Sequence, residues 1–143
     1  MIKMRKAKVL FLCTGNSCRS QMAEAFLREY GSDDFEAYSG GLEAEGIHPL
    51  TKQVMQEVGL DISDQESKPV SKFLGQKHFG FLITVCRNAE KNCPTFPDVS
   101  TRLFWDIEDP KAFKGSDEEK LAKFREIRDE VETRVKNFIQ EHR

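Results

Sequence analysis

No apolar run in this chain is long enough to cross a bilayer, and neither sign of charge dominates it. Lysine and arginine total 22 against 24 aspartates and glutamates, for a net charge of −2. That balance leaves no electrostatic footprint for nucleic acid or for an anionic membrane. Basic residues precede an apolar stretch in "MIKMRKAKVLFL", but residues 9–12 are too short to form the core of a secretory signal. A cytoplasmic location is expected. Repeats, linkers and low-complexity tracts are also missing. The 143 residues therefore read as one domain, 1–143, large enough to bury a core without staples. Cysteine is scarce, at four, and a reducing compartment would not join four thiols into a disulfide framework. A four-thiolate zinc site is disfavoured too. Cys13 and Cys18 are separated by four residues and Cys86 and Cys93 by six, at the edge of and beyond the usual metal knuckles. No metal is expected.

What is present alternates between strand and helix patterns. "KVLFL" (8–12) reads as a short buried strand, followed by a turn at 13–19. Met22, Ala23, Phe26, Leu27 and Tyr30 then recur at helical spacing, with Gly31 as a stop. "FEAYSGG" (35–41) reads as a second strand. Pro49 suits a first helical position, with Leu50, Val54 and Val58 as the apolar stripe and Gly59 closing it. "FGFLITVC" (79–86) is a third strand, apolar on both faces, and "STRLFWDIEDP" (100–110) a fourth that runs into a proline-ended loop. Ser116 and Glu119 match a capping box for a long last helix. Its apolar face is Leu121, Phe124, Ile127, Val131, Val135 and Phe138, read as core rather than interface, so a monomer is expected. The pattern predicts an α/β fold, a four-stranded parallel sheet with helices on both faces in three layers. Ligands bind such sheets beyond the carboxyl ends of the strands. The chemically loaded stretches 13–20, 86–93 and 106–110 all fall there.

The first of these holds Cys13, Thr14, Gly15, Asn16, Ser17, Cys18 and Arg19 between a buried strand and a helix start. A loop that winds into a helix N-terminus turns its backbone N–H groups inward and makes a nest for a tetrahedral oxyanion. Gly15 permits the tight backbone this needs, and Arg19 adds a bidentate fork. The same field favours a thiolate at Cys13, a nucleophile beneath the bound anion. Ser20 reads either as a donor to that thiolate or as a helix N-cap. Asn16 reads either as part of the site or as a turn residue that tolerates a left-handed backbone. For Cys86 and Cys93, composition alone allows a buried strand end and a loop thiol. The polar "RNAEKN" between them could equally let the segment refold, with Arg87 and Lys91 favouring a thiolate.

"VLFLCTGNSCRSQMAEAFL", "YSGGLEAEGIHP", "LITVCRNAEKNCP" and "FWDIEDP" together resemble the low-molecular-weight tyrosine phosphatase superfamily, and within it the thioredoxin-coupled arsenate reductase branch. The resemblance implies a nucleophilic Cys13, oxyanion binding by Thr14 to Arg19, a supporting Ser20, redox thiols at Cys86 and Cys93, and an acid at Asp109, with Asp106 and Glu108 as rivals. It also implies a cascade. Cys13 attacks arsenate, Cys86 attacks Cys13 to release arsenite and form Cys13–Cys86, and Cys93 resolves this to Cys86–Cys93, which thioredoxin reduces. Cys18 is given no required role. Each step is thiolate–disulfide exchange. No bound cofactor is implied.

Potassium-stimulated members of that superfamily use residues matching Asn16, Glu24 and Ser39 plus an aspartate whose position here is Lys68. That lysine is either a solvated loop residue or a substitute for the cation, which makes potassium unnecessary. Only Phe113 supplies an aromatic side chain soon after "EDP", which weakens any specificity for phosphotyrosine, while side activity on small aryl phosphates is expected. The alternatives are a phosphatase working through a Cys13 thiophosphate, and a redox sensor signalling through Cys86–Cys93.

Overall fold

The computed structural model describes residues 6–96 and 99–143. Residues 1–5 of the basic N-terminal stretch and 97–98 after Cys93 lie outside the described residues. Four strands, β1 (Ala7–Cys13), β2 (Phe35–Gly41), β3 (Phe81–Thr84) and β4 (Thr101–Phe104), form one parallel sheet in the order β2-β1-β3-β4. The helices are α1 (Arg19–Gly31), α2 (Pro49–Glu57), α3 (Arg87–Asn92) and α4 (Asp117–His142).

The central strand β1 explains the layering. Val9, Leu10, Phe11 and Leu12 are all fully buried, so both of its faces are covered. On one face Phe11 meets Trp105, and Phe138 of α4 packs on Trp105, Phe35 and Phe81. Helix α1 lies against β2 and α4 on this side. On the other face Tyr38 packs edge-on to Phe73 and Phe79, and Phe73 sits in a short 3-10 turn, Val70–Phe73. Thr84 on this face donates to Glu90 of α3. The expected three layers are present, and the Ser116–Glu119 capping box opens α4 as its spacing indicated.

Several local expectations shift. Val58 does not join the α2 stripe; it caps the helix C-terminus and is 41% exposed, because α2 is only nine residues long. Tyr30 stays outside, stacked on Phe26 with its hydroxyl donating to Glu132. The third and fourth strands are shorter than the apolar runs suggest. Thr84 ends β3 because the chain turns at Cys86 into a helix that "RNAEKN" had not announced.

Candidate active site

Beyond the carboxyl end of β1, residues 13–19 fold into a cradle in which the carbonyls of 13–17 are all taken by donors from outside it. The strap of residues 42–48 runs along its outside. Leu42 N–H donates to Cys13 O, Glu43 N–H to Thr14 O, Glu45 N–H to Gly15 O and His48 N–H to Ser17 O. Gln21 Nε2 donates to Asn16 O, while the Ser67 and Thr51 hydroxyls add to Gly15 O and Ser17 O. With every carbonyl from 13 to 17 occupied on the outside, the amide groups are left for the inside. Close approach of the two segments requires Gly41. A Cβ there would lie 2.4 Å from Glu43 O and 2.7 Å from Asn16 N, both backbone atoms with no room to move.

The left-handed residue of the cradle is Asn16, at φ 50, rather than Gly15. Asparagine tolerates this conformation because its short side chain can bond locally. Here Nδ2 donates to Ser20 Oγ at 2.8 Å and to Ser39 Oγ at 3.0 Å. Its Oδ1 accepts from Gln21 Nε2 and from the Lys68 backbone N–H. The turn reading of Asn16 holds, and its side chain also bonds Ser20 beside Cys13. Ser20 is not the N-cap of α1, a position taken by Cys18 without any side-chain capping bond. Ser20 Oγ lies 2.8 Å from Cys13 Sγ, and Asn16 N–H reaches the same sulfur at 3.2 Å. Since Ser20 Oγ already accepts from Asn16, its own proton is free to point at the sulfur. Two donors thus converge on the Cys13 sulfur.

Behind Asn16 the network continues inward. Ser39 donates to Glu24, which also accepts from Arg28. The Lys68 ammonium stands 3.7 Å from Glu24 and donates to Glu66 O at 2.9 Å. Burial holds the Lys68 pKa below its usual value, with Glu24 and Glu66 opposing the shift. Asn16, Glu24, Ser39 and Lys68 thus meet at one place.

Arg19 is buried, and NH1 donates to Ile107 O at 2.8 Å. Its Nε has no partner among the described residues, and NH2 lies 3.8 Å from Asp109 Oδ2. The Nε–NH2 edge remains for two oxygens of an anion. The 106–109 loop also sorts the rival acids. Asp106 is held in a fork by Arg87, which keeps its carboxyl below the usual range. Glu108 pairs with Lys123. Asp109, by contrast, bonds the Lys111 N–H with one oxygen and turns the other toward Arg19.

Cys86 is the N-cap of α3. Its sulfur accepts from Ala89 N–H and stands 3.4 Å from Thr14 Oγ1, which in turn accepts from Asn88 Nδ2. The structure therefore brings Cys86 to the rim of the cradle. It does not bring Cys93 there, because Cys93 ends α3 and is only half-buried. The six helical residues between them set the two roughly 10 Å apart along the axis. Burial pushes the Cys93 thiol up, and the cation that opposes this is Arg102, not the Arg87 or Lys91 expected from the sequence. Arg87 is committed to Asp106. Cys18 is buried and its pKa is raised by that burial, in keeping with a packing role. All four thiols are free. A cavity of about 520 Å³ opens onto Thr14, Arg19, Cys86, Arg87, Asn88 and the 106–109 loop. Among the described residues no cluster of three or more His, Cys, Asp or Glu could hold a metal, and no helix is long and apolar enough to cross a membrane.

Sequence reasoning missed the strap, the Asn88–Thr14–Cys86 contact and the Glu45–Lys111 ion pair. Its signals were faint, since backbone donors carry no residue signature and ion pairs between distant loops have no spacing rule.

An arsenate reductase from Halalkalibacterium halodurans is 44% identical over 137 residues, covering 96% of this chain and 98% of that protein. Among solved structures, an arsenate reductase in a phosphate-binding state superposes with a TM-score of 0.76 at 35% identity, covering 94% of this chain and 98% of that one. A thioredoxin-dependent arsenate reductase from Corynebacterium glutamicum matches with a TM-score of 0.71 at 31% identity, over 99% of this chain and 66% of that one. Residues 8–143 match the family described as low molecular weight phosphotyrosine protein phosphatase, and the chain belongs to this family.

Proposed function

We propose that this protein, as a single domain over 1–143, reduces arsenate to arsenite with three thiols. The observation that carries this reading is the placement of Cys86 against the Thr14 side of the cradle, with Cys93 at the far end of the same short helix. Hydrolysis of a thiophosphate needs neither thiol. Reduction by two electrons needs Cys86, and repeated turnover needs Cys93 to carry the disulfide away. The likeness to arsenate reductases over nearly the whole chain supports the substrate.

The steps balance as follows. Arsenate settles among the inward amides, with two oxygens on the Arg19 fork. The Cys13 thiolate forms a sulfur–arsenic bond as an arsenic–oxygen bond breaks, and the departing hydroxide takes the Asp109 proton and leaves as water. Cys86 then attacks the Cys13 sulfur. The sulfur–arsenic pair goes to arsenic, arsenic(V) becomes arsenic(III), and arsenite leaves behind a Cys13–Cys86 disulfide. Cys93 attacks Cys86, expelling Cys13 as a thiolate and creating Cys86–Cys93. An α-helical separation cannot be bridged by a disulfide, so α3 unwinds at this step and carries the bond outward. A dithiol reductant of the thioredoxin type then returns the enzyme to its starting state.

The test is NADPH consumption with thioredoxin, thioredoxin reductase and arsenate. Turnover that requires both arsenate and this protein is the expected result. No turnover, with steady hydrolysis of an aryl phosphate, would transfer the assignment to the phosphatase reading. Slow hydrolysis of small aryl phosphates alongside reduction is expected, because phosphate shares the charge and shape of arsenate.

Lys68 supports a second element of this reading, independence from potassium. Its ammonium supplies positive charge beside Glu24, Ser39 and Asn16, where a bound cation would otherwise do so. Exchanging sodium for potassium is expected to leave kcat/KM unchanged, and Lys68→Ala to make it rise with potassium. A several-fold potassium stimulation of the unmodified protein would refute this.

A further inference from the structure

Lys111 follows the acid loop and Glu45 lies in the strap, yet their side chains meet at 2.8 Å. The pair joins the two segments that flank the cradle. The Glu45 carboxylate rests on the cradle itself, since a Cβ built on Gly15 would fall 2.4 Å from its Cδ. Lys111 is anchored from the acid side, its backbone N–H donating to Asp109 Oδ1. Burial lowers the Lys111 pKa, but the Glu45 hydrogen bond and the nearby Cys18 and Asp109 outweigh it, leaving the ammonium well protonated. Neither side chain lines the open cavity, which reaches the cradle by way of Thr14, Arg19 and Cys86.

We propose that the Glu45–Lys111 ion pair is a specificity gate, closing the strap-side flank of the cradle and leaving an ester's organic group only the polar cavity at Thr14, Arg19 and Cys86. The proposal rests on the cradle as the site of sulfur attack. With a free oxyanion, the sulfur displaces hydroxide, which takes one proton and leaves as water. With a phosphate monoester, the sulfur–phosphorus bond forms as the phosphorus–oxygen ester bond breaks. The alkoxide takes the proton and leaves as an alcohol, and that organic group needs room beside the cradle. A charged bridge spanning the strap flank denies room on that side and offers an aryl ring no apolar surface there. At 30% and 39% side-chain exposure the pair is weak enough to open on occasion. This accounts for slow ester turnover rather than none.

The experiment compares the unmodified protein with Lys111→Met, Glu45→Gln and the charge-exchanged double variant Glu45→Lys/Lys111→Glu. Three quantities are read: kcat/KM for p-nitrophenyl phosphate, the inhibition constant of inorganic phosphate against that substrate, and arsenate reduction. Both single variants are expected to hydrolyse the aryl ester about fivefold faster, the factor set by one half-exposed ion pair. The phosphate inhibition constant should move less than about twofold. The exchanged pair should return ester hydrolysis toward the original level. Unchanged ester hydrolysis in both single variants overturns the gate. So does a parallel fall in ester hydrolysis and phosphate affinity, which would mean that the pair only holds the acid loop. Failure of the unmodified protein to reduce arsenate would count against the reductase reading alone, because the ester and phosphate measurements do not depend on it.

Discussion

Replacement of Cys93 by serine is expected to stop multiple-turnover arsenate reduction while one arsenite per chain is still released. The first two chemical steps use only Cys13 and Cys86, and the Cys86 sulfur stands 3.4 Å from the hydroxyl of Thr14, the residue after Cys13. Both cysteines are nearly inaccessible, at 3% and 4% exposure, so a disulfide between them is shielded from a protein reductant. Cys93 is half-buried at the end of a six-residue helix that buries only Ala89 and is otherwise held by the Cys86 cap, the Thr84–Glu90 and Asn88–Thr14 bonds and the Glu90–Arg102 and Arg87–Asp106 ion pairs. Exposed pairs of that kind are worth about 1 kcal/mol or less each, so α3 is the part of the site that can unwind at modest cost. Without Cys93 the cascade halts at Cys13–Cys86. Quenched-flow arsenite quantification, with peptide mapping of the trapped disulfide, reads this directly. Hydrolysis of an aryl phosphate by the same variant should be unchanged in a reduced sample. Sustained turnover of arsenate by Cys93→Ser would mean that the reductant reaches the first disulfide and that Cys93 is a bystander.

Arg19→Lys is expected to lower kcat/KM for arsenate by about 10²–10³-fold. The guanidinium does two things from one planar group. Its NH1 ties the Ile107 carbonyl, holding the acid loop, while the unpartnered Nε and the adjacent NH2 present a fork to the anion. Lysine keeps the charge but has one nitrogen in place of three. It cannot hold Ile107 O and two oxygens of the substrate at once. The loss should therefore appear in both phosphate affinity and kcat, since the acid loop bearing Asp109 loses its anchor. Steady-state kinetics with phosphate as a competitive inhibitor separates the two. A drop smaller than about threefold would show that charge alone suffices and that fork geometry is unimportant.

Much of the fold was legible because its determinants are local or periodic. The strand β1 declared itself as an unbroken apolar run, α1 and α4 by helical spacing, and α4 also by the Ser116–Glu119 box. The cradle was legible for a different reason, since thiol, turn residues and arginine lie within seven positions between a strand and a helix. Helix α3 was not legible. Five of its six residues are polar and Ala89 is its whole apolar face, and it is secured by Cys86 at its N-cap and by partners on β3, β4 and the 106–109 loop. Nor could spacing separate Asp109 from Asp106 and Glu108, because the distinction lies in which distant cations, Arg87 and Lys123, reach each carboxylate.

By itself the sequence determined the layered parallel sheet, the strand-to-helix cradle around Cys13 and the thiol inventory, because short-range pattern and chain order suffice for these. Only tertiary structure decided that the strap at 42–48 turns the cradle carbonyls outward and that Asn16 takes the left-handed conformation. It alone brought Cys86 to Thr14, Lys68 to Glu24 and Lys111 to Glu45. Those contacts join residues 66 or more, or 44, positions apart. Their energies depend on separations of a few ångströms that no local preference encodes, and they arise only once the buried sheet has set the loops side by side.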